Sequence, residues 1–266
     1  MRSAQNSRMR RMADIGLLSL LAFVVIPMSV AAIAGHVRAE DPQPNLPKNG
    51  SWVRYRKVVE DKVTGRIPGE ISVTMSMTGT VVEDGQACRW VEWKSVARDG
   101  ADGREVRVLK VLVPEKDFWE SDKPFENARR AWILKPDAPA YAVPAANLVG
   151  TARSVLQELM LWTPGMRTNA RIVQNDQKDI EYQRGRLVDA VALRGKLFMD
   201  QGTKTVKTEL AYTAWQHSDL SFGSAEVQII AATFVNAEVT PSRRISVAYY
   251  LQDAGTDAKS ELPDNN

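Results

Sequence analysis

A strict alternation of apolar and polar residues in the segment ISVTMSMTG (71–79) is the feature that most constrains the fold. Every second position is apolar, namely Ile71, Val73, Met75 and Met77. Successive side chains of a strand point to opposite faces of a sheet, so this period of two predicts a half-buried strand. The apolar row must therefore cover either a packed core or a cavity that holds an apolar ligand.

Strand patterns also flank this segment. Residues 51–59, 70 to about 83, 87–97 and 104–114 are predicted as four strands that pair antiparallel in sequence order, with a bulge or kink at Gly79. Asp-Gly pairs between them are typical of hairpin turns. Further strands are predicted near 170–174 and 178–184, and at 186–199, 204–215, 225–239 and 244–253.

The middle of the chain has helical periodicity instead. Residues 147–162 place apolar side chains on one helical face, and the Thr-Pro-Gly sequence that follows ends the helix. A second helix is predicted from Asp122, a helix N-cap, through Ile133. The helical insertion then spans about 122–163.

These elements predict a mainly β (α+β) fold built as one domain over residues 51–253. Its large curved antiparallel sheet is an unclosed half-barrel, and the one or two inserted helices lie on the concave face. A Pro-rich tether (40–50) precedes the domain, and a polar, acidic, flexible tail (254–266) follows it.

The N-terminus predicts export. Four arginines precede an uncharged apolar run from 15 to 34, and small residues at Val37 and Ala39 suit cleavage, so residues 1–39 are predicted to be a signal peptide. The alternative is an uncleaved anchor in the inner membrane, because the run is long enough to span a bilayer. In either case we expect residues 40–266 outside the cytoplasm, in the periplasm or beyond it.

Charge and reactive side chains exclude several classes of function. Residues 1–39 contain five Arg and one Asp, so the remaining chain has 35 − 5 = 30 basic and 32 − 1 = 31 acidic residues, which argues against nucleic-acid binding. Cys88 is the only cysteine and is predicted to be buried, and His217 is the only histidine after His36. No catalytic residue, cofactor or metal ion is expected, because neither a multi-histidine site nor a nucleophile-elbow motif is present.

The residues predicted to line a concave cavity come from the strand 71–79, the two helical segments and their ends. They are Ile71, Val73, Met75, Met77, Trp132, Leu156, Met160 and Trp162. Methionine is flexible and polarisable, so it fills irregular cores as well as lining apolar binding sites. Ordinary core packing therefore stays open as the alternative for this row.

The layout resembles the exported lipoprotein carriers, which include LolA-like, LppX-like and RseB N-terminal domains. The resemblance rests on GEISVTMSMTGTVVEDG, the RWVEW and REVRVLKVLVPE strands, and the helical insertion before a second run of strands. It covers most of residues 50–252 and implies a curved sheet whose apolar concavity is plugged by helices. Those carriers usually have a helix before the first strand, where this chain has DPQPNLPKNG.

Two main functional hypotheses follow, and an exported hydrolase is a third that would require a convergent carboxylate pair in a polar cleft. In the first, the chain is an exported, non-enzymatic protein that binds a lipid or the acyl chains of a lipidated partner in an apolar half-barrel. In the second, it is an envelope structural or protein-interaction module with a fully packed core. We expect a monomer that contacts a membrane only through its signal segment, if that segment stays uncleaved. A large apolar cavity would favour the first hypothesis and a filled concavity the second.

Overall fold

One open antiparallel sheet of eleven strands makes up most of the computed structural model, which describes residues 47–61, 71–99, 103–120, 124–162, 171–200, 206–235 and 240–262. The strands are β1 (Trp52–Asp61), β2 (Ile71–Glu83), β3 (Gln86–Asp99), β4 (Gly103–Pro114), β5 (Arg130–Leu134), β6 (Tyr141–Ala142), β7 (Arg171–Tyr182), β8 (Gly185–Asp200), β9 (Val206–Gln216), β10 (Ser224–Val235) and β11 (Arg243–Gly255).

Two meanders form this sheet, and the first and last strands join them at its centre. The spatial order is β6-β5-β4-β3-β2-β1-β11-β10-β9-β8-β7. Tyr55 of β1 pairs with Leu251 of β11, and the ring of Tyr55 meets Tyr249 edge-on with 6.3 Å between centroids. The predicted mainly β fold, with a large curved open sheet and sequential pairing of the first four strands, is confirmed. The predicted irregularity at Gly79 is also confirmed, since the β2–β3 register shifts between Met77 and Gly79.

One long helix covers the concave face. Helix α1 (Asp117–Glu120) is a single turn, whereas α2 (Ala145–Trp162) is the helix predicted at 147–162. The helix predicted from Asp122 to Ile133 is wrong. Residues Pro124–Asn127 form one 3-10 turn, and β5 follows, because Ala131 and Ile133 point into the core while Trp132 between them packs on the other face. This alternation, rather than helical spacing, explains the apolar residues there.

A second correction concerns the segment 170–184, which was predicted as two strands. Residues Arg171–Tyr182 form the single strand β7, which includes the charged QNDQKD stretch (174–179). Its register with β8 shifts between Ile172 and Gln177 and again between Lys178 and Ile180, so the irregularity is absorbed by bulges.

The core is continuous across both meanders and the helix. Ala152, Val155 and Leu156 of α2 belong to the same buried cluster as the apolar residues of β1 to β4 and β8 to β11. Trp90 and Trp93 lie on opposite faces of β3, since Trp93 packs against this cluster and Trp90 belongs to a second one with Cys88 and Leu112. Cys88 is buried, as predicted.

The C-terminal segment differs from the flexible tail predicted at 254–266. Residues 256–262 lie against the sheet: Ala258 N–H donates to Gly50 O at 2.9 Å, and Leu262 is 4% exposed. The last four residues, the predicted signal peptide (1–39) and the first part of the predicted tether (40–46) fall outside the described residues. Within the described part of the chain, no helix is long and apolar enough to cross a membrane.

Candidate functional site

The apolar row of β2 lies at the bottom of the concave face. Val73, Met75 and Met77 are each 0% exposed, and Ile71 at the start of the strand is half-buried against the same cluster. A side chain that lined an empty cavity large enough for a ligand would be partly accessible to a water-sized sphere inside it. The row is therefore packed core in this structure.

The helix above this row is packed just as closely. Val155 and Leu156 of α2 are also 0% exposed, and Thr151 and Ala152 on the same face are buried. Closer to the start of the helix, Val149 is exposed. The side chains of Met160 and Trp162 fall outside the described residues, although both residues lie in the last turns of α2.

Trp132 is not part of this concave core. It pairs with Lys110 across β4 and β5 and packs against the second cluster, formed by Cys88, Trp90 and Leu112 on the other face of the sheet. The predicted site residues are thus divided between two faces. If the segment had been interpreted as a strand, its period of two would have assigned Trp132 and Ile133 to opposite faces of the sheet.

The same outer face carries a cluster of buried charges that sequence reasoning missed. Glu92 of β3 and Lys110 of β4 are direct cross-strand partners and are 4% and 0% exposed. The Lys110 ammonium also lies 4.8 Å from the centre of the Trp90 ring. Isolated buried charges are costly, so these two need partners.

The C-terminal segment supplies those partners. Lys110 Nζ donates to Ser260 Oγ at 2.7 Å and to Leu262 O at 3.0 Å. The Ser260 hydroxyl donates to Glu92 Oε2 at 2.7 Å, and the Glu261 N–H donates to the same carboxylate at 3.2 Å. Burial raises the pKa of Glu92, while the hydrogen bonds from Ser260 and Glu261 and the charge of Lys110 oppose that rise.

A second charged cluster lies where the Lys178 side chain of β7 contacts β9 and β10. Lys178 Nζ is 2.6 Å from Glu226 Oε2 and 3.6 Å from the centre of the Trp215 ring. Trp215 and Glu226 are cross-strand partners, and Gln228 Nε2 donates to Glu226 Oε1 at 2.7 Å. Lys178 therefore joins an edge strand to the middle of the second meander.

A cavity of about 220 Å³ adjoins this cluster. Its lining is formed by Lys178, Asp179, Ile180, Glu181, Ala225, Glu226, Tyr250 and Leu251. Its volume is below the ~300 Å³ at which small-molecule sites usually begin. Four charged side chains in the lining also make it a poor environment for an acyl chain.

His217 has a structural position in the turn after β9. Its Nε2 lies 3.1 Å from Val188 O, and its Nδ1 accepts the Asp219 N–H at 3.2 Å. Both ring nitrogens thus contact backbone groups. Within the described ranges, no three His, Cys, Asp or Glu side chains converge as metal ligands.

Comparison with known proteins gives little further information. No protein-family model and no curated protein sequence matches this chain. A candidate lipoprotein from Parabacteroides distasonis is 6% identical, with a TM-score of 0.35 over 81% of this chain and 100% of that one. A candidate exported protein with a YmcC-like fold from Bacteroides fragilis is 6% identical, with a TM-score of 0.34 over 80% and 98% of the two chains. At these TM-scores neither similarity carries a conclusion, and the resemblance to lipoprotein carriers stays a prediction.

Proposed function

We propose that this chain is an exported, non-enzymatic binding protein that recognises a protein partner at the surface of its sheet. The observation that carries the proposal is the complete burial of Val73, Met75, Met77 and Leu156, all 0% exposed beneath or within helix α2. This burial favours a solid core and argues against a cavity that holds an acyl chain. Export is supported by the basic N-terminus and the apolar run that follows it.

The absence of enzymatic activity is also part of the proposal. Both ring nitrogens of His217 contact backbone groups, which makes a role in acid–base catalysis unfavourable. The buried carboxylate of Glu92 is covered by the chain's own residues 260–262, so it is not presented to a substrate. These observations support a binding role.

Titration with a dansyl-labelled fatty acid tests the solid core. We expect no saturable rise in dansyl fluorescence with the wild-type chain in the micromolar range. Saturable binding that is lost in Met75→Trp or Met77→Trp, with the thermal unfolding midpoint unchanged, would overturn the proposal. Val82→Trp is the matched control, because Val82 lies on the same strand and is 73% exposed.

An acyl-chain carrier is the second candidate, with α2 as a movable cover. It is favoured by the composition of the buried row, because two of its residues are methionines that can repack around a ligand. Hydrogen exchange of the α2 amides, with and without phospholipid vesicles, distinguishes the two functions. Faster exchange confined to α2 when lipid is present supports the carrier, whereas unchanged exchange supports the solid core.

A further inference from the structure

The surface that holds residues 260–262 has the features of a binding groove. Its floor is a row of cross-strand neighbours on the outer face. One residue from each of four strands lies in this row, through the cross-strand pairs Ser76–Glu92, Glu92–Lys110 and Lys110–Trp132. Trp90 lies one step along the same face of β3. We call the residues Trp90, Glu92, Lys94 and Lys110 the outer groove.

The polar groups of the bound segment have matching groups in the outer groove. The Lys110 ammonium meets a hydroxyl oxygen and a backbone carbonyl, while the Glu92 carboxylate meets the same hydroxyl and a backbone N–H. Lys94 Nζ lies 2.6 Å from the carboxylate of Glu261. The Leu262 side chain is almost completely buried. The groove therefore contacts a hydroxyl and an acidic side chain at two successive positions, and the apolar side chain that follows them is buried.

The charges of the groove explain why such a contact discriminates between sequences. Lys110 and Glu92 are buried in the presence of the segment, and the hydrogen bonds from the segment add to their mutual attraction and to the Lys110–Trp90 contact in offsetting their desolvation. A segment without the hydroxyl would leave a buried ammonium and a buried carboxylate short of a partner. An apolar segment could hold the end of the chain against the sheet without providing hydrogen bonds to buried charges.

We propose that the outer groove is a recognition site for an extended polypeptide segment of the form Ser–acidic–apolar, and that residues 260–262 are its resident intramolecular ligand. This inference rests on the proposed function, since it names the partner class and the surface. A segment of the same chemistry on a partner protein competes with residues 260–262. It must overcome the high effective concentration of a tethered ligand.

Competition with a labelled peptide tests the groove. The probe is fluorescein-labelled TDAKSEL, the sequence of residues 256–262, and the control peptide is TDAKAKA. The full-length triple variant Ser260→Ala, Glu261→Ala, Leu262→Ala keeps the groove and weakens its resident ligand. We expect this variant to bind the probe roughly tenfold or more tightly than the wild-type chain does, because the tethered competitor is weakened. Lys110→Met added to the variant should abolish the binding, and the control peptide should not bind.

Absence of probe binding by a folded triple variant would overturn the inference. If that variant does not fold, hydrogen exchange of the wild-type chain decides instead. We expect the amides of 260–262 to exchange through an opening that requires less free energy than global unfolding. Exchange of these amides only by global unfolding would make the segment a fixed part of the fold and also overturn the inference. Neither result depends on the fatty-acid titration, so the recognition site and the solid core are tested independently of each other.

Discussion

Glu92 and Lys110 lie directly opposite each other on β3 and β4, and both are almost completely buried on the outer face of the sheet. Burial raises the pKa of Glu92 above its ordinary value. Between the ordinary and the raised pKa, the native state holds more protons at this position than the unfolded state does. The contribution of Glu92 to the free energy of unfolding is therefore present at low pH and is lost as pH rises through the raised pKa.

Glu92→Gln removes this titration. We expect the free energy of unfolding of the variant, minus that of the wild type, to rise with pH across this window and then level off. The slope cannot exceed about 1.4 kcal/mol per pH unit, because a single proton is involved. Urea unfolding at several pH values measures the difference. Parallel pH curves for the two proteins would contradict the assignment.

Met75→Ala tests the packing of the concave core. Met75 is 0% exposed, so we expect the substitution to lower the free energy of unfolding by about 2–5 kcal/mol through lost burial and an unfilled cavity. Val82→Ala, on the exposed end of the same strand, should change it by less than about 0.5 kcal/mol. Chemical denaturation provides both values, and similar effects at the two positions would argue against a solid core.

Gly50→Ala tests the contact between the start of the domain and its C-terminal segment. Gly50 has φ +84°, and a Cβ there would lie 2.5 Å from the backbone carbonyl oxygen of Thr256. Gly85 has φ +73° with nothing within 4 Å of a Cβ, so Gly85→Ala isolates the backbone strain of about 1–2 kcal/mol. We expect Gly50→Ala to be more destabilising by at least about 1 kcal/mol, measured by chemical denaturation. Equal losses would show that the steric contact with Thr256 costs nothing.

Lys178→Met tests the ion pair that joins β7 to β10. The Glu226 side chain is 10% exposed, so the loss of its partner should lower the free energy of unfolding by about 1–3 kcal/mol. Arg194→Met removes the exposed ion pair with Asp176 and should cost less than about 1 kcal/mol. Thermal unfolding of the two variants and the wild type measures both losses in the free energy of unfolding. A cost for Arg194→Met that equals or exceeds the cost for Lys178→Met would contradict the role assigned to the Lys178–Glu226 ion pair.

The periodicity of the sequence was sufficient to predict most of the sheet and the one long helix. The alternation in 71–79 and the helical face of 147–162 are local patterns, and each reports directly on burial. The segment 122–134 was misassigned because Ala131, Trp132 and Ile133 pack on two faces, and a short stretch of apolar residues fits helical and strand spacing equally well.

The outer groove could not be predicted in the same way. Glu92 and Lys110 are 18 residues apart, and Ser260 is a further 150 residues away from Lys110, so only the folded sheet brings them together. A polar C-terminal sequence without periodicity predicts a loose tail, because local propensity contains no information about a distant pair of buried charges. Likewise, the pairing of β1 with β11 depends on the tertiary fold and not on any sequence signal.

Native mass spectrometry of the chain purified from an envelope fraction shows whether the concave core is solid or holds a lipid. We expect a single species with the mass of the polypeptide alone, and no acyl lipid after organic extraction. A co-purifying acyl lipid that is lost in Met75→Trp, while the variant stays folded, would contradict the solid core and support the carrier.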